Sequence, residues 1–102
     1  MIHVIAAVEL KPGASEVYLE KFRANVAKVK AEDGCIAYGA TVDVDSGIPI
    51  QVGPRENVVT IVEQWESLDA LHAHLKTPHM AAYQKQTRDL VASVSLQVLQ
   101  PV

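Results

Sequence analysis

The chain has only one cysteine, Cys35, among its 102 residues. A lone thiol cannot form an internal disulfide, so this usage favours a reducing compartment, and we expect the protein to be cytoplasmic.

Long apolar runs are also missing. The amino-terminal segment reaches Glu9 without any preceding basic stretch, which is not the pattern of a signal peptide, and no later stretch is long enough to span a bilayer. We therefore expect no membrane association.

An excess of positive charge is absent as well. Nine Lys and Arg residues stand against 12 Asp and Glu, giving a formal net charge of −3. The cations are scattered among acidic residues on helical stretches. Because a general nucleic-acid binder needs a basic footprint, we expect no nucleic-acid partner.

Cofactor and metal motifs are the third absence. The sequence has no GxGxxG after a strand, no P-loop, no CxxC and no HExxH, so no cofactor is expected. His72, His74 and His79 lie close in sequence, but side chains two apart on a helix point roughly 200° away from each other. A break at Thr77–Pro78 separates His79 from the other two histidines. We therefore expect no metal site.

What is present is a series of apolar runs separated by turns and amphipathic stretches. The predicted order is a strand, a helix with Ser15 as N-cap and Gly34 as its C′ glycine, a strand, a long loop, a strand, two helical segments and a last strand. The four strands are predicted at Ile2–Leu10, Ile36–Val44, Val58–Glu66 and Val94–Leu99, the last within 93–100. The first helix is predicted over 15–33, the long loop over Asp45–Glu56, and the two later helices after Ser67 and from Thr77 and Pro78. Two apolar sets should face the core from the last two helices, Leu68, Leu71 and Leu75 on the first, and Met80, Tyr83, Leu90 and Val91 on the second.

This order, β-α-β-β-α-β, predicts a single α+β domain over 1–102 of the ferredoxin-like class, with a core of about 2–91. Its antiparallel sheet should carry the helices on one face. Over most of their length the strands have apolar residues at both odd and even positions, so both faces of the sheet are apolar. Two helices on one face cannot cover the other face. A second copy of the chain is the natural cover, so we expect a homodimer packed sheet to sheet. Alternatively, the small Ala, Thr and Ser residues on the second face tolerate water.

The third strand carries the first candidate site residues. Strand alternation places Ile61, Glu63 and Trp65 on one face. A buried carboxylate there would have a raised pKa and could act as a general base, or Glu63 could sit in a salt bridge at the sheet edge. Trp65, the only tryptophan, could form a flat wall for an aromatic ligand or could simply fill the core.

The histidines and tyrosines supply further candidates. His74 borders the predicted leucine stripe and could line a cavity or be a half-exposed surface residue, whereas His72 is expected on the surface. His79 lies in the first turn of the last helix, where the dipole favours a neutral imidazole able to act as base, or it could simply cap that helix. Tyr38 and Tyr83 could place hydroxyls in an apolar pocket or pack in the core. Cys35 follows a helix carboxyl end, which does not activate a thiolate, and we expect it to be structural.

The segment "VEQWESLDALHAHLKTPHMAAY", Val62 to Tyr83, resembles the antibiotic biosynthesis monooxygenase (ABM) domain family, most closely its small bacterial quinol monooxygenases of the YgiN type. "KPG", "EDGCIAY", Val42–Asp43 and a terminal "LQP" match as well, so the resemblance covers essentially the whole chain. It implies a ferredoxin-like fold dimerised into an α+β barrel, and oxidation of phenols or quinols by O₂ without flavin, haem or metal. By motif position it also implies a pocket lined by Trp65, His74, His79, Tyr83 and Tyr38.

Two differences from other branches of the family narrow the class of substrate that the resemblance implies. The first strand lacks the asparagine of haem-degrading relatives, and no basic cluster accompanies the histidines as a phosphosugar isomerase would need. The leading hypothesis is a cofactor-independent monooxygenase in which His74, His79 or Glu63 takes a proton, while Trp65 and the helix stripe at Leu71 bind a small aromatic substrate. A non-catalytic dimer that binds an aromatic metabolite, and a cofactor-free isomerase or lyase, remain as alternatives.

Overall fold

The computed structural model describes all 102 residues and has the predicted α+β architecture. The elements, in chain order, are β1 (Ile2–Leu10), α1 (Ser15–Lys30), β2 (Cys35–Thr41), β3 (Val58–Trp65), α2 (Leu68–Leu75), α3 (Pro78–Thr87), a 3₁₀ turn (Arg88–Leu90) and β4 (Val91–Leu99). The four strands form one antiparallel sheet in the order β2-β3-β1-β4. This is the ferredoxin-like topology, with the second half's helix divided into α2 and α3.

The two central strands place one set of side chains under the helices. Alternate residues of β1 from Ile2 to Leu10 are buried, as are Val59, Ile61, Glu63 and Trp65 of β3. The predicted common face of Ile61, Glu63 and Trp65 is therefore confirmed. It puts a carboxylate in the layer between sheet and helices.

The ends of α1 differ from the prediction. Its N-cap is Ala14, without a side-chain hydrogen bond, and Ser15 is the first helical residue. The helix ends at Lys30 rather than 33, because Gly34 is not its C′ residue but part of the turn that follows. Gly34 has a φ of +82°, and a Cβ placed there would lie 2.6 Å from the Ala70 Cβ. Glycine therefore lets this turn approach α2 closely.

The second half shows two further corrections. Ser67 and Thr77 cap α2 and α3 as predicted, but Leu68 and Leu75 are about half exposed, and the buried side chains of α2 are Leu71 and His74. An eight-residue helix has room for only one i, i+3 pair against the sheet, here Leu71 and His74. Leu68 and Leu75, near the two ends of the helix, lie outside that contact. Leu90 and Val91 lie past the end of α3, whose buried side chains are Met80, Tyr83 and Thr87.

The bounds of the strands also shift slightly. β2 ends at Thr41 instead of Val44, so the loop is longer than predicted, and β4 begins at Val91. Val94, Leu96 and Val98 pair with buried β1 residues, yet they are 44–58% exposed because no helix reaches over β4. No helix in the chain is both long and apolar enough to cross a membrane.

Candidate active site

A cavity of about 690 Å³ lies between the sheet and the helices, and most of its wall is apolar. Its apolar lining includes Ala6, Val8, Ile61, Met80, Val91 and Val94. Its polar lining comprises Tyr18, Tyr38, Glu63, His74, Tyr83, Gln84, Lys85, Thr87 and Arg88. A concave, largely apolar pocket with a few convergent polar groups is the usual form of a small-molecule site.

Glu63 presents a buried carboxylate to this cavity. It is 7% exposed, and its Oε1 accepts a 2.8 Å hydrogen bond from the Trp65 indole Nε1. Burial raises the pKa of Glu63, while the indole hydrogen bond and His74 oppose that rise and the charge of Glu32 adds to it. Glu63 forms no salt bridge. The sheet-edge ion pair considered above is therefore absent, and the carboxyl belongs to the cavity.

Trp65 does not line the cavity. Its side chain is fully buried, and its ring packs against that of His74 with centroids 4.6 Å apart. Leu71 is likewise buried but absent from the cavity wall. Neither side chain therefore reaches the cavity surface in this structure, and the expected contact of each with a ligand stays a prediction. Trp65 instead contacts two residues of the cavity wall, through its hydrogen bond to Glu63 and its ring packing against His74.

His74 is the histidine that faces the cavity. Its side chain is 2% exposed, and its ring lies between those of Trp65 and Tyr38. The Nδ1 atom lies 2.9 and 3.1 Å from the two carboxylate oxygens of Glu32. Nε2 has no hydrogen-bond partner in the protein. One ring nitrogen is thus held by a carboxylate while the other remains available to a bound molecule.

His79 does not line the main cavity. Its Nε2 lies 2.7 Å from Glu32 Oε2, and its ring borders a separate small cavity of about 140 Å³. His72 is exposed, as expected. Glu32, which contacts both His74 and His79, is not among the predicted site residues. It lies in the turn between α1 and β2, and nothing in local periodicity shows that this turn packs against α2 and α3.

Two tyrosines form a hydroxyl pair in the cavity wall. The Tyr83 hydroxyl donates a 2.5 Å hydrogen bond to that of Tyr18, and both side chains are buried. Burial raises the pKa of both groups. Tyr38 stacks on Phe22 with centroids 5.2 Å apart, and burial raises its pKa too. Tyr18 is not among the predicted site residues, although its position four residues before Phe22 on α1 is a usable signal.

Groups that could bind a metal are not assembled here. No three His, Cys, Asp or Glu side chains are placed to hold a metal ion together. Cys35 is partly buried, and burial and the charges of Glu32 and Glu63 raise its thiol pKa, which disfavours the reactive thiolate.

The family model described as "Antibiotic biosynthesis monooxygenase" matches residues 1–86. The chain belongs to this family. The Escherichia coli (strain K12) protein called "Probable quinol monooxygenase YgiN" is 37% identical over 103 residues, covering 99% of this chain and 98% of that relative. The chain is therefore an oxidoreductase of the monooxygenase type.

Solved structures share the fold over nearly the whole chain. The crystal structure of PA3566 from Pseudomonas aeruginosa superposes with a TM-score of 0.82 at 26% identity, covering 99% of this chain and 93% of that one. Rv0793 from Mycobacterium tuberculosis gives a TM-score of 0.81 at 26% identity, with 99% and 94% covered. These likenesses agree with the ferredoxin-like topology described above.

Proposed function

We propose that this monooxygenase oxidises a quinol or a related electron-rich phenol with O₂, and that the protein provides no cofactor for the step. The observation that carries the proposal is the free Nε2 of His74 in an apolar cavity that also contains a tyrosine hydroxyl pair. The name of the Escherichia coli relative supports a quinol as substrate.

His74 is the proposed general base. With Nδ1 occupied by Glu32, Nε2 of the neutral ring can accept the proton of a substrate hydroxyl. Glu63 lies in the same cavity, but its Oε1 already accepts the Trp65 indole hydrogen bond. His79 contacts Glu32 and borders another cavity. We therefore rank His74 first among the three predicted bases.

The electron balance requires only the substrate and O₂. The deprotonated quinol gives one electron to O₂, and the resulting radical pair couples through a new C–O bond to form a ring hydroperoxide. Breaking the O–O bond releases one oxygen as water and leaves the other on the ring as a carbonyl. The ring loses four electrons, O₂ gains four, and a hydroquinone becomes a hydroxyquinone. An apolar cavity protects the radical pair and the peroxide from water.

The tyrosine pair is proposed to steady the developing oxyanion. Because the Tyr83 hydroxyl donates to Tyr18, the proton of Tyr18 is free to point to a ligand oxygen. Donors placed in a water-poor cavity stabilise charge more strongly than they would in water. The raised pKa of each group keeps the pair protonated at neutral pH.

We also propose that the enzyme works as a homodimer. Val94, Leu96 and Val98 form an uncovered apolar row on β4, and Val94 is part of the cavity wall. On the other face of the sheet, Val62 is 39% exposed. A second copy covering the β4 row would bury apolar surface and close one side of the cavity.

The deciding experiment is ¹⁸O₂ labelling with a panel of naphthohydroquinones and polyphenols, using protein treated with a chelator and shown by absorbance to be free of flavin and haem. One ¹⁸O atom in the hydroxyquinone and one O₂ consumed per product are expected, after subtraction of autoxidation in buffer. Release of half the oxygen on adding catalase would indicate a quinol oxidase that makes peroxide. Saturable binding without oxygen uptake would contradict the proposal and favour a binding protein.

A further inference from the structure

Glu32 connects three separate segments of the chain at the edge of the candidate active site. It lies in the turn between α1 and β2, and its carboxylate, only 11% exposed, meets His74 from α2 and His79 from α3. Glu32 Oε2 is the atom that both imidazoles share, at 2.9 Å from His74 Nδ1 and 2.7 Å from His79 Nε2. A single carboxylate therefore fixes two rings.

The chemistry of this contact assigns the protons. An ionised carboxylate only accepts hydrogen bonds, so each imidazole nitrogen that meets it must carry a hydrogen. Neutral His74 is then the Nδ1–H tautomer, with its lone pair on Nε2. Neutral His79 is the opposite tautomer, with hydrogen on Nε2. The ring that lines the cavity thus presents a base, and the other ring uses its N–H to hold Glu32.

The surroundings of His74 explain why this choice depends on Glu32. Trp65 and Tyr38 pack against the ring, and neither makes a hydrogen bond to it. The titratable groups around the ring are Glu32 at Nδ1, His79 beyond that carboxylate, Glu63 in the cavity and the Tyr38 ring. Only Glu32 bonds to it, so without Glu32 the proton on Nδ1 would be buried and unpaired.

We propose that Glu32 is a positioning residue that sets the tautomer of His74, and that His79 is the second anchor of Glu32 rather than a base. The expected effect of Glu32 on turnover rests on the proposed function, whereas the assignment of the His74 tautomer does not. Glu32 also stabilises the imidazolium that forms when Nε2 takes the substrate proton. In the Ser-His-Asp triad, loss of the corresponding carboxylate leaves the wrong tautomer and lowers kcat about 10⁴-fold.

The test combines imidazole ¹⁵N NMR with kinetics. The wild-type protein is compared with Glu32→Leu, which removes both acceptors, and with the isosteric Glu32→Gln. Asp33→Leu is the matched control, since Asp33 is the exposed neighbour in the same turn and makes no hydrogen bond. The four histidines are assigned by single substitutions, and near-ultraviolet circular dichroism checks the fold.

We expect the resting wild-type spectrum to show His74 as Nδ1–H and His79 as Nε2–H. In Glu32→Leu the His74 signals should move to the Nε2–H pattern, and kcat should fall on the order of 10²-fold with KM changed less than about threefold. Asp33→Leu should change neither. His79→Ala should lower kcat less than Glu32→Leu does, and His79→Gln, which retains an N–H donor, should restore most of that loss.

Two results would overturn the inference. One is a wild-type His74 already in the Nε2–H form. The other is a Glu32→Leu protein, folded by circular dichroism, that keeps both the Nδ1–H pattern and the wild-type kcat. The tautomer is read without substrate, so a protein that turns over no quinol but shows the expected spectra would refute the proposed function alone.

Discussion

The indole Nε1 of Trp65 donates a 2.8 Å hydrogen bond to Oε1 of Glu63, two residues earlier on the same face of β3. Both side chains lie under the helices, so the bond compensates for part of the cost of burying a carboxylate. It also holds in place a carboxyl group that lines the cavity. Trp65 thus affects the site through its contacts with Glu63 and His74.

Replacement of Glu63 by Gln should stabilise the protein at neutral pH. Because burial raises the pKa of Glu63 above its ordinary value, the folded state binds more protons than the unfolded state as the pH rises from that ordinary value. Stability due to Glu63 is therefore present at low pH and is lost as the pH rises through the folded pKa. A neutral amide that still accepts the indole hydrogen bond avoids this loss.

Urea unfolding of the wild type and Glu63→Gln between pH 4 and pH 8 measures the effect. The difference in unfolding free energy should be small at the acidic end and grow in favour of Gln. Glu66→Gln is the control, because Glu66 is exposed at the end of the same strand. A difference that is independent of pH would show that the Glu63 carboxyl has no raised pKa.

Substitution of Trp65 by Phe should weaken the fold more than it weakens ligand binding. The change leaves space in the core and removes the donor to Glu63, for an expected cost of about 2–4 kcal/mol. Because the indole is not on the cavity surface, the Kd of a naphthoquinone should change less than about threefold. Calorimetry on protein well below its Tm checks this. A loss beyond tenfold in folded protein would place the ligand against the indole.

The elements of the fold could be predicted because their signals are local. The strands are dense in β-branched residues, and the caps Ser67 and Thr77 act within three residues of their own positions. The end of α1 differs from the prediction because Gly34 allows a close approach to Ala70 and does not terminate the helix. A glycine selected for close approach looks the same in sequence as a helix-terminating glycine.

The site could be predicted only in part, for a similar reason. Glu63, His74, Tyr38 and Tyr83 were identified and do line the cavity. The depth of Trp65 and the partnership of His79 with Glu32 depend on how α2 and α3 sit on the sheet, which strand alternation cannot give. Glu32 carries no periodic or motif signal, because its role arises from residues 42 and 47 positions away in the chain.

A homodimer should be the species in solution, with a mass about twice 11.1 kDa by analytical ultracentrifugation at micromolar concentration. A charge in the uncovered β4 row should disrupt it, so Leu96→Glu is expected to shift the sedimentation to the monomer. Val17→Glu is the matched control, since Val17 is also exposed but lies on α1, which packs against β2 and α3. A monomeric wild type would contradict the proposed dimer and would mean that the β4 row is exposed to water in solution.

The tyrosine pair should matter unequally. Tyr18 receives the hydrogen bond from Tyr83 and has the free proton, so Tyr18→Phe removes the proposed donor to substrate, and kcat should fall on the order of 10-fold. Tyr83→Phe leaves Tyr18 able to donate and should cost less. Steady-state kinetics with the best quinol of the panel measures both. Equal effects would indicate that the pair only holds α1 against α3.

His74→Ala should lower turnover by about 10²–10⁴-fold with a smaller change in substrate affinity, because the group that accepts the substrate proton is gone. His72→Ala, two residues away on the exposed side of α2, should behave as wild type. Because His74 is buried, His74→Gln provides a second variant if the alanine protein unfolds. Added imidazole should restore part of the His74→Ala rate by entering the vacated space. If both His74 variants retain the wild-type rate, the proton goes elsewhere, and Glu63 becomes the group to test.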